Sequence, residues 1–187
     1  MYNIEKIKND IKNNLSEFRY EHSLLVATCA LSLARHYHLD EEKAYITGLI
    51  HDIAKEYTDE ENNNYLKKYS INSKLLNPKY RPVIHAEIGA LVAKCEYNME
   101  DDICQAIRYH ALGNINMNLF DKIIFIADKI GRKQSTPSIE KIKNLAYKNI
   151  DQAILYYLKD KKKKFDMEKR CFLDESLELL VYLSKNK

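Results

Sequence analysis

The sequence predicts an all-α fold, a helical bundle with a single domain, on three observations. The 187 residues include only four glycines and three prolines, so few residues interrupt helices. Leu, Ile, Lys, Glu and Ala are abundant, as is typical of helical proteins. No stretch alternates apolar and polar residues over the length of a strand. One domain over residues 1–187 is the simplest organisation at this length.

Apolar residues at helical spacing, together with local start and stop signals, place the individual helices. An acidic first turn at Asp40 begins one helix, Thr58 begins another with a capping box, and Gly131 ends a strongly apolar one. We expect a core over about residues 18–130, with C-terminal helices of about residues 138–187 packed on it. The predicted helices cover approximately residues 3–15, 20–37, 40–53, 58–69, 83–97, 99–110 and 118–130, followed by two or three from 138 to the end.

Composition and charge exclude several classes of protein. The chain carries 30 basic and 27 acidic residues, a balance that does not favour nucleic-acid binding. It has no apolar run near the roughly 20 residues of a membrane span and no signal-peptide layout, so we expect a cytoplasmic protein without a membrane partner. The lysine-rich run 159–164 is typical of a solvated helix end, with a polyanion-binding surface as the alternative. The apolar stretch 177–183 would pack either within the chain or across a homodimer, and both stay open.

Six histidine and aspartate residues stand in apolar helical surroundings, where polar side chains require strong partners. Burying an imidazole or a carboxylate without a partner is costly, so such groups pair or bind a metal. One such histidine alone is more often a core residue bonded to backbone, and Asp128 alone would pair with Lys129 or Arg132. Six together favour a metal site built from rigid elements. The candidate ligands are His22, His51, Asp52, His85, His110 and Asp128.

Two further histidines do not fit this site. His36 falls on nearly the same helix face as His22, but the distance between them along a helix is about 21 Å. One metal ion cannot bind both. Residues 35–38 are better interpreted as a cationic helix C-terminus, so His36 and His38 are left out.

The order of these residues resembles the signature of the HD-domain metal-dependent phosphohydrolases. Five segments resemble, more closely, the YqeK-type symmetrical diadenosine-tetraphosphate hydrolases, and the resemblance extends from about residue 19 to 154. It implies an HD-type helical bundle with the metal site at its centre. The five segments are residues 19–23, 51–55, 85–89, 106–110 and 126–130.

The resemblance implies two bound metal ions, divalent or mixed-valence, with iron as the expected element. A nitrogen and oxygen ligand set without thiolate independently suits Fe, Mn, Co or Zn better than Mg. The implied reaction converts a dinucleoside tetraphosphate into two nucleoside diphosphates, with a metal-bridging hydroxide attacking a central phosphorus. The implied ligand sets share Asp52 as a bridge and are otherwise His22, His51 and Asp128 for one ion and His85 and His110 for the other.

Four cationic side chains are candidates for contact with the substrate phosphates: Lys55, Arg19, Arg132 and Arg108. Lys55 lies three residues after Asp52 and thus close to the same helix face, so we expect both to act in catalysis. The alternative for Lys55 is a surface lysine. Arg19 is expected to point into the pocket mouth, whereas Arg108 should project away from the nearby histidine.

Two positions depart from the pattern of this family. Ala111 stands where threonine is usual, and residues 131–134 read Gly-Arg-Lys-Gln where a Glu-Pro-Gly-Arg-like turn is usual. Neither change replaces a candidate metal ligand, so both bear on the substrate more than on the chemistry. Other functions therefore stay open: an HD-type nucleotidase or guanosine polyphosphate hydrolase, a non-catalytic nucleotide-sensing module, or an oxygen-activating oxidase with two metals.

Overall fold

The protein is described by a computed structural model over residues 2–71, 75 and 77–185. These residues form α-helices joined by short turns, without a β-strand among them, and the all-α prediction is confirmed. A 3-10 turn at Pro78–Tyr80 precedes the fifth helix. The helices are α1 (Ile4–Asn14), α2 (Glu17–His36), α3 (Glu41–Ile50), α4 (Asp59–Lys68), α5 (Ile84–Tyr97), α6 (Asp101–Tyr109), α7 (Leu119–Ile130), α8 (Pro137–Ala146), α9 (Ile150–Met167) and α10 (Asp174–Lys185).

The largest difference from the predicted helix bounds concerns α3. It ends at Ile50, and residues 51–56 form tight turns instead of continuing the helix to residue 53. The turns are closed by short-range bonds, in which Ile53 N donates to Ile50 O at 3.0 Å and Lys55 N donates to Asp52 O at 2.8 Å. The expectation that His51 and Asp52 lie inside a helix is therefore wrong. His51 still has helical backbone angles (φ −54°, ψ −35°) at the helix end.

Helices α2 and α3 approach each other closely at a glycine. A Cβ atom added to Gly48 would lie 2.7 Å from the Cα and 2.9 Å from the N of Ala27. Any other residue would push the two backbones apart, since real Cβ atoms do not come this close to backbone. This contact fixes the turn that follows α3 against the middle of α2.

The core consists of two apolar clusters that meet at the centre of the molecule. One joins α7 with α2, α8, α9 and α10, and the other joins mainly α1, α3, α5 and α6. In the C-terminal stretch, Leu179, Leu180 and Leu183 pack within the chain, whereas Leu177 and Val181 remain exposed. No helix formed by the described residues has both the length and the apolar character that crossing a bilayer requires.

Candidate metal centre

Side chains from five segments converge where the two apolar clusters meet, and they include all six candidate ligands. Every member is buried or nearly so; the side chain of His22 is 10% exposed, and His51 is fully buried. We call this group the His/Asp cluster. Its members are His22 of α2, His51 and Asp52 of the turn after α3, His85 of α5, His110 at the end of α6 and Asp128 of α7.

The carboxylate of Asp52 faces histidines on both of its sides. Its Oδ1 atom lies 3.2 Å from Nε2 of His85 and 3.4 Å from Nε2 of His110. These two Nε2 atoms are 3.3 Å apart, so the three atoms form a nearly equilateral triangle. The other oxygen, Oδ2, lies 3.7 Å from Nε2 of His51. Asp52 therefore has the geometry of a bridge between two sets of donors.

Asp128 organises the second set. Its Oδ1 atom lies 3.0 Å from Nε2 of His22 and 3.6 Å from Nε2 of His51. The donor atoms of these three residues lie within 4.8 Å of one another. Ligands at about 2.0–2.2 Å from one ion are about 3.0–3.5 Å apart when they are neighbours in its coordination sphere. The spacing in both sets is close to this range.

Backbone carbonyls fix the orientation of three of the four histidines. Nδ1 of His22 lies 3.0 Å from the carbonyl of Gly131, Nδ1 of His51 lies 2.7 Å from Gly48 O, and Nδ1 of His110 lies 2.6 Å from the carbonyl three residues before it. A carbonyl only accepts, so each Nδ1 carries a proton and donates it. In the neutral ring, Nε2 then presents a lone pair to the cluster, the arrangement typical of metal-binding histidines.

Two polar atoms at the centre of the cluster have no hydrogen-bond partner among the described residues. They are Nε2 of His51 and Oδ1 of Asp52, both inaccessible to solvent. Buried nitrogen and oxygen atoms are rarely left without a partner because desolvation is costly. Both point at the positions that the two donor sets surround, and a cation there would satisfy them. By this test, the residues fit a pair of divalent metal ions.

The surroundings of four cluster members, His85, His110, Asp52 and Asp128, favour the protonation states that metal ligands need. Burial lowers the pKa of His85 to about 4 and also lowers that of His110, so both rings are neutral at pH 7. Burial opposes ionisation of Asp52, but the adjacent His51, His110 and His85 rings outweigh it and hold the pKa of this carboxyl well below its usual value.

Asp128 is held ionised in a similar way, by a lysine as well as by histidines. Burial opposes its ionisation, but the charge of Lys129 and the adjacent His22 and His51 rings keep its pKa well below the usual value. Nζ of Lys129 lies 2.5 Å from Oδ2, the oxygen turned away from the histidines, and donates to His110 O at 3.1 Å. Of the two partners considered for Asp128, Lys129 pairs with one oxygen, and the histidines of the cluster face the other.

Two cations lie beside the Asp52 carboxylate, one at each oxygen. Nη1 of Arg19 is 3.5 Å from Oδ2, and Nζ of Lys55 is 4.0 Å from Oδ1. Lys55 also lies 3.0 Å from Nε2 of His85. Burial lowers the pKa of Lys55. Lys55 is therefore part of the cluster wall and not a surface lysine.

Five of the six members of the His/Asp cluster, all except the fully buried His51, line a cavity of about 600 Å³. Arg19, Lys55, Arg132 and Ala111 also line it. Arg108 does not; its Nε donates to the Glu87 carboxylate at 2.8 and 2.9 Å on an exposed surface. Because Arg108 does not line this cavity, we do not include it among the proposed substrate contacts.

His36 lies outside the cluster, as the spacing argument expects. Its ring packs edge-on against Tyr37 and Tyr147, with centroids 4.9 and 5.1 Å away. Among the described residues, the histidines that line the cavity are His22, His85 and His110, all members of the cluster.

The fold and the cluster agree with a comparison to known families. Residues 19–133, more than half of the chain, match the family model described as HD domain. The chain belongs to the HD domain family. The matched segment contains all six members of the His/Asp cluster.

Curated relatives and a solved structure place the chain more narrowly within the HD domain family. A Bacillus subtilis protein, described as a symmetrical bis(5'-nucleosyl)-tetraphosphatase, is 33% identical over 80% of this chain and 81% of its own length. A Staphylococcus aureus protein of the same description is 34% identical over 78% of this chain and 75% of its own length. The crystal structure of a Clostridium acetobutylicum protein, described as a predicted HD superfamily hydrolase involved in NAD metabolism, matches the whole of both chains with a TM-score of 0.91 and 30% identity.

Sequence reasoning missed one side of the cavity. Lys161 and Phe165 of α9, together with Arg170 and Phe172 of the segment that follows it, also line the cavity. They come from far along the chain and follow the matched HD segment. The only sequence signal was the lysine-rich run 159–164, and its composition does not tell which lysine turns inward.

Proposed function

We propose that this protein hydrolyses diadenosine tetraphosphate symmetrically to two molecules of ADP, with two metal ions held by the His/Asp cluster. The observation that carries the proposal is the Asp52 carboxylate, which presents one oxygen to each of two donor sets and has a cation beside each oxygen. The descriptions of the curated relatives support the substrate, while the geometry supports the class of chemistry.

The proposed ligand sets are those implied by the sequence. In these sets, His22, His51 and Asp128 would hold one ion and His85 and His110 the other, with Asp52 shared between them. When bound, such ions acidify water and neutralise charge on phosphate oxygens. The donor set fits Fe, Mn, Co or Zn, and we propose iron as the element and the cytoplasm as the compartment.

The side chains around the ions orient the substrate. We propose that Lys55 contacts the phosphate on the His85 side and Arg19 the phosphate on the opposite side of Asp52. Both cations can turn from Asp52 to a phosphate oxygen, because their side chains are long and partly exposed, at 24% and 31%. Arg132, at the cavity rim, offers a third guanidinium to the same chain of phosphates.

The products of one substrate test the proposal. Protein loaded with iron under anaerobic conditions is incubated with diadenosine tetraphosphate, and nucleotides are resolved by ion-exchange chromatography. We expect ADP as the sole product. AMP with ATP would refute attack at the central linkage. If the metal-loaded protein cleaves only guanosine polyphosphates or nucleoside monophosphates, it is another HD-type phosphohydrolase, and binding without turnover of any nucleotide would make it a sensing module.

A further inference from the structure

The lining of the cavity also includes two cations and two aromatic rings that the proposed chemistry does not use. They are Lys161 and Phe165 on α9, and Arg170 and Phe172 in the turn before α10. We call these four residues the distal wall. They belong to the same cavity of about 600 Å³ as the cluster, so one elongated ligand can contact both sides.

Lys161 differs from its neighbours in the lysine-rich run. Lys162 forms an ion pair with Asp166 at 2.7 Å, and Lys164 pairs with Glu168 at 3.9 Å. Among the described residues, no carboxylate oxygen lies within 4.0 Å of the Lys161 ammonium. Its Nζ lies instead over aromatic rings, 5.5 Å from the centre of Tyr157 and 5.6 Å from that of Phe165. Lys161 is therefore a half-buried cation that faces a cavity without a paired anion.

The position of Lys161 matches a phosphate bound near the cluster. Nζ of Lys129, which pairs with Asp128, also lies 5.5 Å from the centre of the Tyr157 ring. The two ammonium groups can thus be no further apart than twice that distance. Asp128 and Lys129 are close enough to influence the pKa of Lys161, which burial lowers. This separation lets a chain of phosphates that starts at the cluster reach Lys161 within the same cavity.

The rest of the distal wall offers flat surfaces. The Arg170 guanidinium stacks over the Phe165 ring with its carbon 4.1 Å from the ring centre, and Phe172 packs edge-on at 5.9 Å. Arg170 is also held by Glu168, at 3.0 Å. Aromatic rings and guanidinium planes are the surfaces on which proteins stack nucleobases. A nucleobase attached to phosphates that bind Lys161 would therefore have the Phe165–Arg170 stack beside it.

We propose that the distal wall binds one nucleoside diphosphate half of the substrate, with Lys161 at its phosphates and the Phe165–Arg170 stack at its base. The inference rests on the proposed function and identifies where one half of the two-ended substrate binds. It also gives a role to the one lysine of the run 159–164 that lines the cavity, whereas Lys162 and Lys164 form ion pairs along the helix.

Equilibrium binding of the product tests the inference without turnover. Calorimetric dissociation constants are measured on manganese-loaded protein with two probes, ADP and inorganic pyrophosphate. Lys161→Met is expected to raise the dissociation constants of both probes at least tenfold. Lys161→Arg keeps the charge, and its dissociation constants are expected to stay within threefold of wild type. Lys163→Met, an exposed neighbour in the same run, is the matched control and stays within twofold. Phe165→Leu is expected to weaken the binding of ADP about tenfold and the binding of pyrophosphate less than twofold.

Several results would overturn the inference. One is the absence of ADP binding by the wild-type protein. A second is that Lys161→Met and Lys163→Met bind the probes with equal affinity. A third is that Phe165→Leu loses as much affinity for pyrophosphate as for ADP. A parallel assay with diadenosine tetraphosphate separates the two claims. If the wild-type protein cleaves it while the distal-wall variants bind ADP normally, the inference fails alone. If the binding pattern appears without cleavage, the proposed reaction fails and the nucleotide site stands.

Discussion

The proposed bridge can be tested by removing one charge from the centre of the His/Asp cluster. Asp52→Asn keeps the size of the side chain and one oxygen but removes the negative charge. The two carboxylate oxygens lie 3.2–3.7 Å from three histidine nitrogens, so a cation bound by those histidines is within about 4 Å of the carboxylate. At an effective dielectric constant of about 20, two unit charges about 4 Å apart interact by about 4 kcal/mol.

This energy corresponds to about a thousandfold in affinity, and it is a lower bound because the ions are divalent. We therefore expect Asp52→Asn to bind metal at least about a thousandfold more weakly and to lose turnover. Metal content is measured by mass spectrometry after dialysis against defined free Mn²⁺, and turnover is measured by ADP release. Asp59→Asn, whose exposed carboxylate pairs with Arg81 and is not a member of the cluster, is the matched control. An Asp52→Asn protein that retains both ions and turns over within threefold of wild type would refute the bridge.

Three further predictions concern catalysis, the limits of the site and the packing of the fold. Lys55→Met should retain its metals but lose about 2 kcal/mol of transition-state stabilisation, a roughly 30-fold drop in kcat/KM; an unchanged value would remove Lys55 from the mechanism. His36→Ala should keep kcat within threefold, and its complete loss would mean that the site is misplaced. Gly48→Ala should lower the free energy of unfolding by about 1–3 kcal/mol in thermal denaturation, because the new Cβ meets backbone at 2.7 Å. Gly89→Ala, whose Cβ would make ordinary contacts from 3.4 Å outward, should cost less; equal losses would contradict the packing argument.

The sequence predicts the His/Asp cluster well because buried polar residues carry a strong signal. Each of the six residues interrupts an apolar helical pattern, and the structure brings all six together. The helices also follow local signals: the capping box at Thr58 and the end of α7 at Gly131 both occur as expected. Such features depend on residues a few positions apart, which the sequence displays directly.

Contacts between distant segments are not predictable in this way. The end of α3 at Ile50 depends on how the next turn packs against α5 and α6, and no breaker in the sequence marks it. Arg108 pairs with Glu87 across two helices, which removes it from the cavity although it is two residues from His110. The inward turn of Lys161 is set by the packing of α9 beside α7, and the periodicity of a lysine run does not reveal it.

The most direct test of the central claim uses a substrate with two different ends. Metal-loaded protein is incubated with adenosine-guanosine tetraphosphate, and the nucleotides are separated and quantified early in the reaction. Hydrolysis at the central linkage predicts ADP and GDP in equal amounts as the only products, and their loss after chelation of the metals. AMP with GTP, ATP with GMP, or no turnover by protein that holds both ions would contradict the account.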